Sequence, residues 1–152
     1  VDAETGEMHN IGNASLMKRE STGEITYNSK EYVIMDTEKL KILLAKGMKQ
    51  VDLALLITLS SNILFKHNIC MFSEDIAHKT STIAKLTGNS EQAVKLKLNR
   101  LIDLGLLYYG EIKEKKRFGK VYVMNPHFIR KGIKFSSYLG ALFDDIKFKN
   151  SN

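Results

Sequence analysis

The stretch Ser90-Glu-Gln-Ala-Val-Lys-Leu-Lys-Leu-Asn-Arg-Leu-Ile-Asp-Leu-Gly105 runs directly into Leu106-Leu-Tyr-Tyr-Gly-Glu-Ile112, Lys113-Glu-Lys-Lys-Arg-Phe-Gly119 and Lys120-Val-Tyr-Val-Met124. In the first block Val94, Leu98, Leu101 and Ile102 fall at i, i+4, i+7 and i+8, the spacing of one buried helical face. Ser90 supplies an N-cap hydroxyl and Gly105 the C-terminal stop. The second and fourth blocks are rich in β-branched and aromatic residues and predict two strands, 106–112 and 120–124. The third block is a turn crowded with Lys113, Lys115, Lys116 and Arg117, and Lys120 opens the second strand. A capped helix feeding a hairpin with a cationic tip offers side chains to base edges and charge to phosphates.

Working upstream, Ile83-Ala-Lys-Leu-Thr-Gly88 predicts a short apolar helix ending at glycine, with Asn89-Ser90 turning into the next helix. The pair predicts a helix-turn-helix in which Ser90, Glu91, Gln92, Lys95, Asn99 and Arg100 face outward. Gln and Asn can pair bidentately with adenine, and Lys or Arg with guanine. Leu96, on or near that face, could touch a thymine methyl or pack against the hairpin. The competing reading is a structural helical hairpin with a charged surface.

Charge follows the same segment. The 152 residues carry a net +6, yet positions 95–134 hold 11 Lys and Arg against Asp103, Glu111 and Glu114, a local +8. Residues 1–94 sum to −2 and the last 18 to zero. A basic surface confined to helix and hairpin points to a polyanion, the alternative being a solvated lysine-rich face. Downstream, Asn125-Pro126 ends the second strand, and Arg130 and Lys131 extend the basic stretch.

Further upstream, short strands are expected at 15–20 and 30–35, with turns at 21–24 and 27–29. Asp36 is an N-cap for a helix over 37–45, stopped at Gly47. Residues 49–64 predict a helix apolar nearly all round, fit for a core centre or a dimer interface. A short buried strand is expected at 69–72, then a helix capped by Ser73. Whether that helix breaks near Lys79-Thr-Ser81 is open from sequence. A last helix is expected over 138–146, with Leu139, Leu142, Phe143 and Ile146 on one side.

The expected fold is therefore α+β, mostly α: a winged helix-turn-helix over 36–135, with an N-terminal β arm over 1–35 and a C-terminal helix and tail over 136–152. The hydrophobic content of 43% is enough for a core. The one cysteine, Cys70 in an apolar run, excludes an internal disulfide and reads as a buried small hydrophobe. No apolar run has the length of a membrane span, and the acidic first residues hold no signal-peptide core, so a cytoplasmic protein is expected. His9, His67, His78 and His127 are scattered, and no metal-binding or phosphate-loop motif is present. Tyr108 and Tyr109 lack the clustered histidines that a nicking enzyme would need. No catalytic site, metal or cofactor is expected.

The succession of strand, basic turn, strand, Val121-Tyr-Val-Met-Asn-Pro126 and Ile129-Arg-Lys-Gly132 resembles the RepL family of plasmid replication initiators of low-GC Gram-positive bacteria. Asp2-Ala-Glu-Thr-Gly-Glu7 and the strand entering Tyr32-Val-Ile-Met-Asp36 resemble its layout too, while the break near Lys79 departs from a tidy second helix. The resemblance implies a winged-helix protein that binds a plasmid or mobile-element origin on double-stranded DNA without nicking it and recruits host replication proteins. The alternatives are a transcriptional regulator on the same fold and a winged helix used for contact with an acidic protein. A homodimer through 49–64 and 138–146 would match two DNA half-sites; the same helices could instead pack together inside one chain.

Overall fold

The computed structural model describes residues 16–19, 23–28 and 32–143. Expectations placed on residues 1–15, 20–22, 29–31 and 144–152 lie outside the described residues; of the strand expected at 30–35 only Ile34 and Met35 are in strand among the described residues. The chain forms two units, Val1–Tyr32 and Val33–Asn152. Within the described residues it is α+β, with five α-helices and three two-stranded sheets.

In the first unit β1 (Leu16–Arg19) pairs antiparallel with β2 (Ile25–Asn28). The turn expected at 27–29 is thus corrected at its start: Tyr27 and Asn28 are in strand. Ile-Thr-Tyr is a run of good strand formers, and pairing with β1 satisfies backbone groups that a turn would leave to water.

The second unit opens with β3 (Ile34–Met35), paired antiparallel with β6 (Ile129–Arg130). Asp36 then caps α1 (Thr37–Ala45), accepting from the amides of Glu38 and Lys39 at 3.0 and 3.1 Å. These bonds, with the Lys39 ammonium nearby, hold the Asp36 carboxyl below the usual carboxylate range. Helix α2 (Gln50–Ser60) is shorter than the expected 49–64. It is also not apolar all round in its use: Leu55, Leu56 and Leu59 are buried, while Val51 and Ile57 are exposed. Residues 61–68 fold back so that Leu64 N–H donates to Ile69 O and Asn68 N–H to Leu64 O.

In place of the short buried strand expected at 69–72, Ile69 to Met71 are buried and make isolated bridges to Val123, Ile63 and Ala77, while Phe72 is exposed. The helix expected from Ser73 does not form. Phe72 and Ser73 amides both donate to Ile76 O, closing a tight turn that lets Met71 meet Ala77. Met71 and Ala77 are both buried. Their burial removes apolar surface from water, whereas a single isolated turn of helix at 73–76 gains little on its own. The single helix that follows is α3 (Thr80–Thr87).

Gly88 ends α3 in the left-handed region at φ +72°, and Ser90 starts α4 (Glu91–Asp103), its Oγ accepting from Ala93 N–H at 3.2 Å. From α4 the chain passes into β4 (Leu107–Glu111), a 3-10 turn (Lys113–Phe118) and β5 (Lys120–Met124). The two strands pair antiparallel from Leu107 opposite Met124 to Glu111 opposite Lys120.

This hairpin divides the core. With a side-chain period of two, Leu107, Tyr122 and Met124 face α2, α3 and α4, among Leu55, Leu56, Leu59, Ile83, Val94, Leu98 and Leu101. Tyr108, Val121 and Val123 face the other way, onto Ile69, Met71, Leu139 and Phe143. Of the last two, Leu139 lies within α5 (Ser137–Leu142), which is capped by Ser136, and Phe143 directly follows it. Part of the stripe expected at a dimer surface is therefore spent inside the chain: Leu139 and Phe143 are buried and Leu142 partly so.

Candidate nucleic-acid interface

Helix α4 is fixed from behind and open in front. Val94, Leu98 and Leu101 are buried, which turns Glu91, Gln92, Lys95 and Asn99 to solvent. Leu96 lies on the same outer surface, 58% exposed, so it does not pack against the hairpin. Ser90 is exposed, with its hydroxyl engaged as the cap.

Arg100 departs from the expectation. Its Nε donates to Asp52 Oδ2 and its Nη2 to Oδ1, both at 2.9 Å. Ala93, Lys97 and Arg100 share a half-exposed stripe at i, i+4 and i+7, which flanks the outer face. Asp52, on α2, is 1% exposed, and this bidentate pair compensates its burial. The paired carboxylate in turn raises the guanidinium pKa. Arg100 is thus a tie between α2 and α4, and the polar side chains left exposed along the outer face include Gln92, Lys95 and Asn99. An open hollow of about 360 Å³ lies beside this tie, lined by Val51, Ala54, Leu55, Thr58, Leu86 and Lys97 among others.

The hairpin tip is two short 3-10 turns broken by a kink at Lys115, whose φ is −135°. Ile112 at its start is buried and Phe118 at its end is half-buried, so the turn is anchored at both sides. Lys113, Lys116 and Arg117 are exposed and Lys115 half-exposed. The Arg117 guanidinium lies 4.7 Å from the Phe118 ring, which orients it without removing it from solvent. The acid among them, Glu114, meets His67 Nε2 at 3.2 Å. Lys120 is exposed and faces Glu111 across the hairpin.

Arg130 and Lys131 belong to a different place. Arg130 lies on β6, which pairs with β3 and not with the basic hairpin. Its Nη1 donates to Pro126 O at 3.2 Å, and Arg130 and Lys131 are each half-buried. Asn125 is structural: its Nδ2 donates to Gly105 O and its Oδ1 accepts from His127 N–H, both at 2.9 Å.

Sequence reasoning missed the residues that join hairpin to helices. Lys79, just before α3, donates from Nζ to Phe118 O at 3.2 Å and also to Lys120 O. Thr80 Oγ1 and Tyr122 OH are 3.0 Å apart, and the Tyr122 ring lies 4.5 Å from that of Tyr109. The only signal was the interrupted helix pattern at Lys79-Thr-Ser81, and it does not say what Lys79 touches.

Among the described residues no group of three or more His, Cys, Asp or Glu could hold a metal ion, and no helix is long and apolar enough to cross a membrane. Cys70 is fully buried, and burial pushes its thiol up to about 12. Comparison with known proteins finds no match: no family model, no curated protein and no solved structure aligns with this chain.

Proposed function

We propose that this chain is a winged-helix protein that binds double-stranded DNA by sequence, with α4 in the major groove and the basic turn on flanking phosphates. The observation that carries the reading is the exposed row Gln92, Lys95, Asn99 on a helix whose opposite face is buried, followed at once by a hairpin whose tip carries four cations. The order α2, bridge segment 69–71, α3, α4 and hairpin supports it, because the bridge segment meets the hairpin at Ile69 and Val123 and the loop after α2 at Cys70 and Ile63. Amide Gln or Asn and ammonium Lys are the groups that discriminate base edges, and the tip cations contribute affinity without sequence preference.

The biological role we propose is initiation of replication at a plasmid or mobile-element origin, with host replication proteins recruited there. This step rests on the resemblance of residues 121–132 to RepL initiators, and on no match to a known protein. The test is selection of bound duplexes from a random pool, followed by a search for the consensus in the DNA that encodes the protein. An enriched site inside an origin that replicates only when the protein is supplied in trans, with no nick in supercoiled DNA, supports the proposal. No enrichment over random duplex refutes sequence-specific binding. A consensus at a promoter, with replication unchanged and transcription altered, makes the protein a regulator.

A further inference from the structure

The ammonium of Lys79 meets the carbonyls of Phe118 and Lys120, one on each side of Gly119. Gly119 is where the chain leaves the basic turn and enters β5, at φ +68°. One residue on, the Thr80 hydroxyl meets Tyr122 OH on the same strand. The start of α3 is thus tied to β5 at two points. From there α3 packs on α4 through Ile83, Ala84, Val94 and Leu98. The far end of the hairpin has a defined path back to the face of α4.

We propose that Lys79 is a positioning residue for DNA binding: its ammonium sets the basic turn relative to α4 so that both engage one duplex together. The inference rests on the DNA-binding reading above. An ammonium suits the task because it can donate to two carbonyls at once, and hydrogen bonds from a charged donor are stronger than neutral ones. Fixing the turn beforehand means that its cations add to the affinity of α4 without a further ordering cost. Lys79 also carries a charge of its own, so the alternative role is a simple phosphate contact. The two roles differ in their effect on salt dependence.

A contact made by Lys79 alone contributes about 0.9 to the slope of log K against log salt. A positioning role brings in the whole turn. Binding of a random 20-base-pair duplex is therefore titrated against salt for wild type, Lys79→Met, Lys79→Arg, the triple variant K115A/K116A/R117A, and Lys79→Met combined with the triple. The expected result is that Lys79→Met flattens the slope by roughly 2–3 units, as the triple does, that the combination adds nothing further, and that Lys79→Arg restores most of the slope. A change near one unit that adds to the triple would make Lys79 a phosphate contact and overturn the proposal, as would no change at all.

A second measurement, made without DNA, separates failure of the tie from failure of the DNA reading. Trypsin cuts after Lys115, Lys116 or Arg117 only when the turn opens locally. Losing a charge-assisted pair of bonds should speed that cut roughly tenfold in Lys79→Met, with far-ultraviolet circular dichroism unchanged. The variant Tyr122→Phe, which removes only the second tie, should give a smaller increase. Equal cleavage rates in wild type and both variants would refute the tie itself, whatever the protein binds.

Discussion

Replacing Asn68 with alanine should cost a large share of the stability of the second unit. Asn68 is 1% exposed and sits in the left-handed region at φ +53°. Its Nδ2 donates to Met124 O at 3.1 Å and to Ile129 O at 2.7 Å, and its own carbonyl accepts from Met124 N–H. One side chain thereby joins the end of β5 to β6. Alanine removes both donors at carbonyls on residues that are each 1% exposed. Each buried group that loses its partner costs about 1–3 kcal/mol. Holding alanine in the left-handed region adds about 1 kcal/mol. Allowing for some relaxation, the loss should be about 3–5 kcal/mol, against a typical domain total of about 5–15 kcal/mol. Urea unfolding followed by circular dichroism measures it, and the midpoint should fall by roughly 1.5–2.5 M for a slope near 2 kcal/mol/M. Asn68→Gly frees the backbone but restores no donor, so it should recover only about 1 kcal/mol relative to alanine. Asn68→Asp keeps the shape and points an acceptor at two acceptors, so it should be no better than alanine. If Asn68→Ala costs less than about 1 kcal/mol, or Asn68→Asp matches wild type, the donor role assigned to this side chain is wrong.

Four further outcomes are expected. The triple variant K115A/K116A/R117A should weaken binding to all duplexes alike and flatten the salt slope by up to ~3 units, and an unchanged slope in a fluorescence titration would take the turn out of the interface. Gln92→Ala and Lys95→Ala should each cost on the order of 1–3 kcal/mol on the selected site and far less on random DNA, and equal losses on both would take these residues off the base edges. His78, 3% exposed and kept below its ordinary 6.5 by burial, binds a proton less readily folded than unfolded. Stability should therefore fall as pH drops through 6.5 toward the lowered folded value, and His78→Gln should flatten that part of the stability–pH curve. Cys70, buried with its thiol at about 12, should resist a maleimide at pH 7.5 until urea unfolds the chain, and rapid native labelling would contradict its placement.

Much of the second unit was legible because its signals are short-range. Asp36 and Ser90 cap helices by bonding amides two or three residues away, and Gly88 takes the left-handed turn between α3 and α4 by itself. The runs of β-branched and aromatic residues through Leu107, Tyr108, Val121, Tyr122 and Val123 read as two paired strands; that both faces of the hairpin are buried, on separate clusters, emerged only with the tertiary structure. The outward row Gln92, Lys95 and Asn99 follows from the buried row Val94, Leu98 and Leu101 by helical period alone. Tertiary structure decided what depends on partners far along the chain. Arg100 was assigned to bases because nothing near it in sequence reveals Asp52, 48 positions upstream. Ser73 resembled a helix cap, yet burial of Met71 against Ala77 outweighed one turn of helix. Lys79 resembled a break in a helix, and its contacts with Phe118 and Lys120 exist only once the hairpin has folded over α3. Local hydrogen bonds and periodicity are set within a few residues. Which charged side chain stays free for a ligand depends on which buried acid or carbonyl the completed fold brings to it.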